Sequence, residues 1–172
     1  MSSAEYKFEQ TEFTTDVSAE NISDDLREFL HIYTASQQAD GNPQKLTEEL
    51  VNRYLDKLDI STTYAMSLDG ELVGAALVDI DYEHARMWVE GIAVNPDYRE
   101  AGIGTYAMRQ LACVAIQAGC DRLSGLAQPN ESTLQFYTKL GFYQDDRIGT
   151  PEDYDGLVPM SVDLPAPKLT NE

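Results

Sequence analysis

The densest chemical pattern in the chain lies between Glu90 and Gly104. An apolar run ends at Val94-Asn95-Pro96 and leads through Arg99-Glu100-Ala101-Gly102-Ile103-Gly104 into a helical pattern. A strand, a glycine turn and a helix start, in that order, form a site for phosphate. Glycine lets backbone N–H groups turn toward one point and lets a ligand come close. The first amides of a helix lack intrahelical acceptors and sit at the positive end of its dipole. The pattern is not the dinucleotide fingerprint, because position 107 is Ala and the preceding sheet reads antiparallel. No Lys-Ser/Thr pair follows the glycines, as a P-loop nucleotide hydrolase requires.

Further along, Pro129-Asn130 precedes a helical stretch with Thr133, Phe136, Tyr137 and Lys139, closing on Gly141-Phe142. Taken in order, Ile92-Ala93-Val94-x-Pro96, Arg99-x-x-Gly102-x-Gly104 and Asn130-x-x-Thr133-x-x-Phe136-Tyr137-x-Lys139-x-Gly141-Phe142 resemble the GNAT superfamily of acetyl-CoA-dependent N-acetyltransferases. Its cofactor loop has the form Arg/Gln-x-x-Gly-x-Gly/Ala. The likeness covers Trp88 to Phe142, and the element order on both sides suits the family. Thr133 stands where the family often has Ala, and Glu100 where Gly, Lys or Arg is usual. An inward Glu100 would repel phosphate, so its side chain is expected to face solvent.

The resemblance implies acetyl-CoA as co-substrate, with no metal, held by Arg99, Glu100, Ala101, Gly102, Ile103, Gly104 and Thr105 around its diphosphate. Ile92, Ala93 and Val94 would pair their backbone groups with the pantetheine as if it were an added strand, which requires this strand to splay from its neighbour. Asn130 serves as a helix N-cap, a cofactor contact, or both. Tyr137 is either a packed aromatic or the general acid that protonates the departing thiolate. Alternation places Trp88, Glu90, Ile92 and Val94 on one strand face. Glu90 is accordingly either a surface acid or the general base.

The implied reaction is direct attack of a primary amine on the thioester, without an acyl-enzyme, since neither cysteine sits in a nucleophile motif. The acceptor would enter between Thr34–Lys45 and Asp145–Asp155. The second segment carries Asp145, Asp146, Glu152, Asp153 and Asp155, whose charges favour a small cationic amine. Acetylation of protein N-termini or lysines, or a silent acyl-CoA-binding sensor, are the alternatives. Homodimerisation is left open. His31 and His84 read as isolated, and Asp79, Asp81 and Glu83 lack a metal-loop spacing.

These residues need a frame. The length of 172 residues suits one domain, with the tail from Pro165 expected to fray. A short alternating strand with Tyr6 and Phe8 precedes two amphipathic helices, the first with Ile22, Leu26, Phe29, Leu30 and Tyr33, the second from Leu46 to Leu58. Their link, Thr34–Lys45, contains Asp40-Gly41-Asn42-Pro43 and reads as a mobile loop. Thr62–Leu68 and Glu71–Asp81 form a hairpin on Asp69-Gly70, and Met87–Val94 completes an antiparallel meander. Then follow a helix from Ile103 stopped by Gly119, a strand at Arg122–Ala127, a helix at Glu131–Leu140, a strand from Phe142 and a last strand at Leu157–Leu164. The expected class is α/β, a single GNAT-like domain with a mixed, mostly antiparallel sheet of six to seven strands and about four helices. Cys113 and Cys120 read as unpaired small fillers of one helix.

Thirty acids against 12 bases give a net charge of −18. Residues Arg86 to Phe142 are neutral, so the whole excess lies outside the motif-bearing segment. This balance argues against nucleic-acid or anionic-membrane partners. A Lys-poor acidic surface points to a salt-loving source, an ordinary acidic enzyme being the alternative. A polar N-terminus and apolar runs of strand length place the chain in the cytoplasm by default.

Overall fold

The computed structural model describes residues 5–13, 16–37 and 45–170, apart from the side chains of 36, 37, 99–101 and 170. The strands are β1 (Tyr6–Thr11), β2 (Thr62–Leu68), β3 (Glu71–Asp81), β4 (Arg86–Val94), β5 (Arg122–Ala127), β6 (Tyr143–Gln144) and β7 (Val158–Asp163). The α-helices are α1 (Asp24–Gln37), α2 (Glu48–Ile60), α3 (Ile103–Gln117), α4 (Glu131–Lys139) and a single turn, α5 (Pro167–Thr170). The strands form one seven-stranded sheet in the order β1-β2-β3-β4-β5-β7-β6. β4 and β5 pair in parallel, whereas β1–β2, β2–β3, β5–β7 and β6–β7 are antiparallel. The expected α/β class with a mostly antiparallel sheet therefore holds.

Local chemistry explains the boundaries. Asp69 and Gly70 both take positive φ, 51° and 85°, the type I′ geometry whose twist suits the β2–β3 hairpin. Thr47 caps α2 by accepting the Leu50 N–H at 3.2 Å, and Glu48 and Glu49 complement the helix dipole there. In the β2–β3 ladder Met66 faces Gly74 and Ser67 faces Leu72, so Val73 is an extra residue, a β-bulge. The bulge resets the alternation, sending Leu72 toward one apolar cluster and Val73 toward another. Gly74 admits no side chain, since a Cβ would lie 2.8 Å from the Ala93 carbonyl oxygen.

The chain divides into two compact units, Met1–Val78 with Gly91–Ala107, and Asp79–Glu90 with Met108–Glu172. In the first, Leu26, Phe29, Leu30 and Tyr33 of α1 pack with Val51, Leu55 and Leu58 of α2 against Ala75, Leu77 and Ala93. A separate cluster joins Met66 and Val73 to Ile103 and Ala107 of α3, with Ile92 and Val94 alongside. Burial of each large side chain contributes roughly 1.5–3 kcal/mol. In the second unit Met87, Val89, Met108, Leu111, Leu123, Met160 and Val162 are buried.

Several expectations are corrected. α1 continues to Gln37, so the supposed loop Thr34–Lys45 begins as helix, with Thr34 fully buried. The rest of it, with Asp40-Gly41-Asn42-Pro43, lies outside the described residues. In the tail, Pro167–Thr170 form α5, with Leu169 within it and Ala166 just before it both buried. Residues 171 and 172 are outside the described set. α3 ends before Gly119, so Cys120 lies beyond the helix, and it alone is buried while Cys113 is exposed. Both are free thiols. Asp145–Asp155 contains a 3-10 turn at Pro151–Tyr154, closed by a reciprocal cap between Thr150 and Asp153. Among the described residues no helix is long and apolar enough to cross a membrane.

Candidate active site

In the first unit, the end of β4 is held by Asn95, whose N–H donates to the Val73 carbonyl at 2.8 Å. The bulged residue thus anchors the exit of the strand. The Asn95 side chain then accepts the Asp97 N–H at 3.0 Å and starts a 3-10 turn, Pro96–Ala101. Gly102 ends that turn in the left-handed region, φ 79°, which a residue with a Cβ enters only with strain. Its carbonyl accepts the Tyr106 N–H at 3.0 Å, the first rung of α3. The amides of Ile103, Gly104 and Thr105 therefore have no intrahelical acceptor. Ile103 and Ala107 are fully buried and pin the first turn of α3 to Met66 and Val73. Around Gly102, nothing among the described residues beyond its chain neighbours lies within 4 Å of the point a Cβ would occupy. The result is a fixed turn with open space in front of it and amides free to bind an anion.

Ile92 and Val94 are half-buried against that cluster, and Ala93 is wholly buried against α1 and α2. Within the second unit the parallel β4–β5 ladder pairs Arg86↔Arg122 through Val89↔Gly125. The side chains of Arg99, Glu100 and Ala101, including the expected outward turn of Glu100, fall outside the described set.

In the second unit, Met87 and Val89 are buried, Arg86 and Trp88 half-buried and Glu90 exposed, so Arg86, Trp88 and Glu90 share the open face of β4. Glu90 makes no hydrogen bond or ion pair among the described residues. Asn130 caps α4 by accepting the Thr133 N–H at 2.8 Å. Tyr137, two turns along, lies 5.1 Å from Phe142 edge-on and 5.3 Å from Phe136. Burial raises its hydroxyl pKa above the usual 10, so the phenol stays protonated through neutral pH. That hydroxyl has no hydrogen-bond partner among the described residues. No hydrogen bond links Tyr137 to Glu90.

The 145–155 segment departs most from its reading as a row of open acids. Asp145 is buried and accepts from Arg147 Nε at 2.8 Å and Nη2 at 3.0 Å, and from the Ser161 hydroxyl at 2.6 Å. Arg122 approaches it at 3.5 Å. The Arg147 hydrogen bonds, with Ser161, hold the Asp145 carboxyl down at about 2. Asp153 is engaged in its cap with Thr150. Two of the five acids expected to attract a cation therefore serve the loop itself. His84 is not isolated either, lying 2.8 Å from Asp81, and no metal-binding group forms among the described residues. Sequence reasoning missed the arginines 86, 122 and 147, which come from β4, β5 and the loop after β6 and meet only in the folded chain.

Residues 26–142 match the model of the acetyltransferase (GNAT) family. The chain is 32% identical over 83 residues to N-alpha-acetyltransferase 30 of Xenopus laevis, a match spanning 45% of this chain and 30% of that protein. It is 33% identical over 85 residues to streptothricin acetyltransferase of Streptomyces lavendulae, spanning 49% of this chain and 45% of that protein. The matched span is thus less than half the length of either relative. In structure it resembles the PaiA N-acetyltransferase of Thermoplasma acidophilum in complex with coenzyme A, with a TM-score of 0.63 at 15% identity, covering 94% of this chain and 99% of that one. With the family model matching more than half of its residues, the chain belongs to the GNAT acetyltransferases.

Proposed function

We propose that this enzyme moves the acetyl group of acetyl-CoA directly to a primary amine. The observation that carries the reading is the left-handed turn at Gly102, which opens α3 with unpaired amides and leaves the space before it empty. Those amides, at 103–105, would hold the diphosphate, with Arg99, Glu100 and Ala101 forming the preceding turn. The pantetheine amides would pair with the backbone at Ile92–Val94, as the family likeness of this strand implies. Asn130 combines its cap with a cofactor contact. The coenzyme A complex of the Thermoplasma acidophilum neighbour supports the same co-substrate.

In the reaction the amine nitrogen forms a bond to the thioester carbonyl carbon, and the carbon–sulfur bond then breaks. Glu90 takes the proton the amine sheds, directly or through water. Tyr137 gives its proton to the departing thiolate, a role supported by a phenol kept neutral by burial. Strand amides near Ile92 polarise the carbonyl oxygen as negative charge develops. No metal is needed for these steps.

Titration calorimetry with acetyl-CoA, followed by a coenzyme-release assay over amines, peptides and amino sugars, tests the proposal. Saturable binding with turnover on at least one amine is expected. Absence of binding would remove the acetyl-CoA reading, and binding without turnover on any acceptor would favour a silent acyl-CoA sensor.

A further inference from the structure

In the second unit, an open cavity of about 540 Å³ is lined by His84, Arg86, Trp88, Arg122, Arg147 and Tyr154, together with Ile148. Among the described residues no acid lines it, in a chain of net charge −18. The parallel register sets Arg86 directly beside Arg122. Arg147 is fixed by its paired bonds to Asp145 and by the Tyr143 hydroxyl at 2.7 Å. The Tyr154 hydroxyl donates to the Ile148 carbonyl at 3.2 Å and steadies the wall.

The guanidiniums of Arg86 and Arg122 are under-used. Arg122 makes no side-chain hydrogen bond among the described residues, only the 3.5 Å approach to Asp145. Arg86 makes one long bond, to Asp81 at 3.5 Å, and lies over the Trp88 ring. The Nε atoms of both are buried without a partner among the described residues. Buried donors left unpaired are costly, and an arginine pair with free N–H groups matches the oxygens of a carboxylate or phosphate. Asp81 and Asp145, the carboxylates touching the three guanidiniums, leave positive charge in excess. Asp121 and Asp163 line an adjoining cavity with His84, Arg122 and Arg147.

We propose that this cleft binds an anionic group, carboxylate or phosphate, carried by the acceptor amine. The inference rests on the transferase reading, with Glu90 marking the amine end. On the shared face of β4, the strand rise of ~3.3 Å per residue places Trp88 about 7 Å and Arg86 about 13 Å from Glu90. An acceptor with its amine at Glu90 would lay its middle along Trp88 and its anion on Arg86 and Arg122. This acceptor class differs from the small cationic amine expected from the acids of 145–155, of which Asp145 and Asp153 are engaged within the loop.

Two measurements test it. Thermal melts of the wild type at matched ionic strength, with inorganic phosphate or glutarate replacing chloride, should show a saturable rise that is lost in folded Arg122→Gln and partly restored in Arg122→Lys. Coenzyme release should then be compared on matched acceptors: an amino sugar and its phosphate, and a short peptide as its amide and its free acid. A preference of about tenfold or more in kcat/KM for an anionic member, falling to about twofold in Arg86→Gln, is expected from loss of a charge-assisted pair. The pair that shows the preference identifies phosphate or carboxylate. Equal use of neutral and anionic members by the wild type, or a preference unchanged in both arginine variants, would overturn the proposal. Acetyl-CoA affinity, measured separately by calorimetry, distinguishes this failure from that of the transferase reading.

Discussion

The glycine turn of the first unit and the arginine-lined cleft of the second present hydrogen-bond donors by opposite means. The turn offers main-chain amides from consecutive residues, fixed by Gly102 and by burial of Ile103 and Ala107. Its donors do not titrate and need no side-chain partner. The cleft offers guanidiniums from three separate elements, aligned by strand register and by one buried carboxylate, Asp145. A backbone site suits the part of a substrate common to a whole family. A site made of side chains can change with single substitutions, and so suits the part that differs between relatives.

If the cleft depends on Asp145, removing that charge should have the largest effect. Asp145→Asn keeps the shape but leaves Arg122 and Arg147 facing a neutral amide, one of them largely buried. Breaking a buried pair from one side costs about 3–5 kcal/mol, and the exposure of Arg147 puts the expectation at the lower end, about 3 kcal/mol. Urea unfolding would measure it. A loss below about 1 kcal/mol would mean that strand pairing alone aligns the arginines.

Next comes Tyr137→Phe, which removes one oxygen from between Phe136 and Phe142 and keeps the ring packing. As general acid, its loss should lower kcat by about 10²-fold, with little change in acetyl-CoA affinity. Because burial raises the phenol pKa, the alkaline limb due to this group lies above pH 10 in the wild type and disappears in the variant. An unchanged kcat across pH would return Tyr137 to a packing role.

Gly102→Ala probes the turn directly. A Cβ would meet nothing among the described residues, so the loss of stability would come from the left-handed backbone, roughly 1–2 kcal/mol. The same Cβ would enter the space assigned to the diphosphate, and acetyl-CoA affinity should fall about tenfold. A variant that loses stability and keeps its affinity would separate the turn from the coenzyme.

The two regions also differ in how far the sequence disclosed them. Asp69-Gly70, Asn130 and Gly102 each act through their own backbone or their nearest neighbours, and those local devices were legible. Strand alternation likewise marked Trp88 and Glu90 as one face. Arg86, Arg122 and Arg147 are separated by long stretches of chain, and nothing in their spacing links them. The parallel β4–β5 register brings the first two together. Asp145 was misjudged for the same reason, since its partner Ser161 lies on the far side of the polar loop. The bulge at Val73 was hidden because an apolar run buried on both faces shows no break in alternation. The extension of α1 through Thr34 was missed because a polar residue buried by its hydrogen bond to the His31 carbonyl reads as loop.

The smallest expected effect separates the regions by acid. The Asp145 carboxyl is lowered from 3.8 to about 2, chiefly by the Arg147 hydrogen bonds. A folded-state pKa below the unfolded one gives stability that is complete above pH 4 to 5 and is lost as pH falls through 4 toward 2. With Arg147 62% exposed, solvent screening reduces the contribution to about 1 kcal/mol, or about 2–4 °C in Tm. Titration of the other acids shifts the melts of wild type and Asp145→Asn alike, so the readout is the difference between them. That difference should be largest near pH 5 and narrow by about this amount as pH falls toward 2. The glycine turn contributes nothing to it, because main-chain amides carry no proton to exchange. A gap that stays constant down to pH 2 would mean that the folded and unfolded chains protonate this carboxyl alike, with the arginines held in place by the sheet alone. A gap that narrows by clearly more than this, and is still narrowing at pH 2, would mean a carboxyl held lower than Arg147 and Ser161 account for.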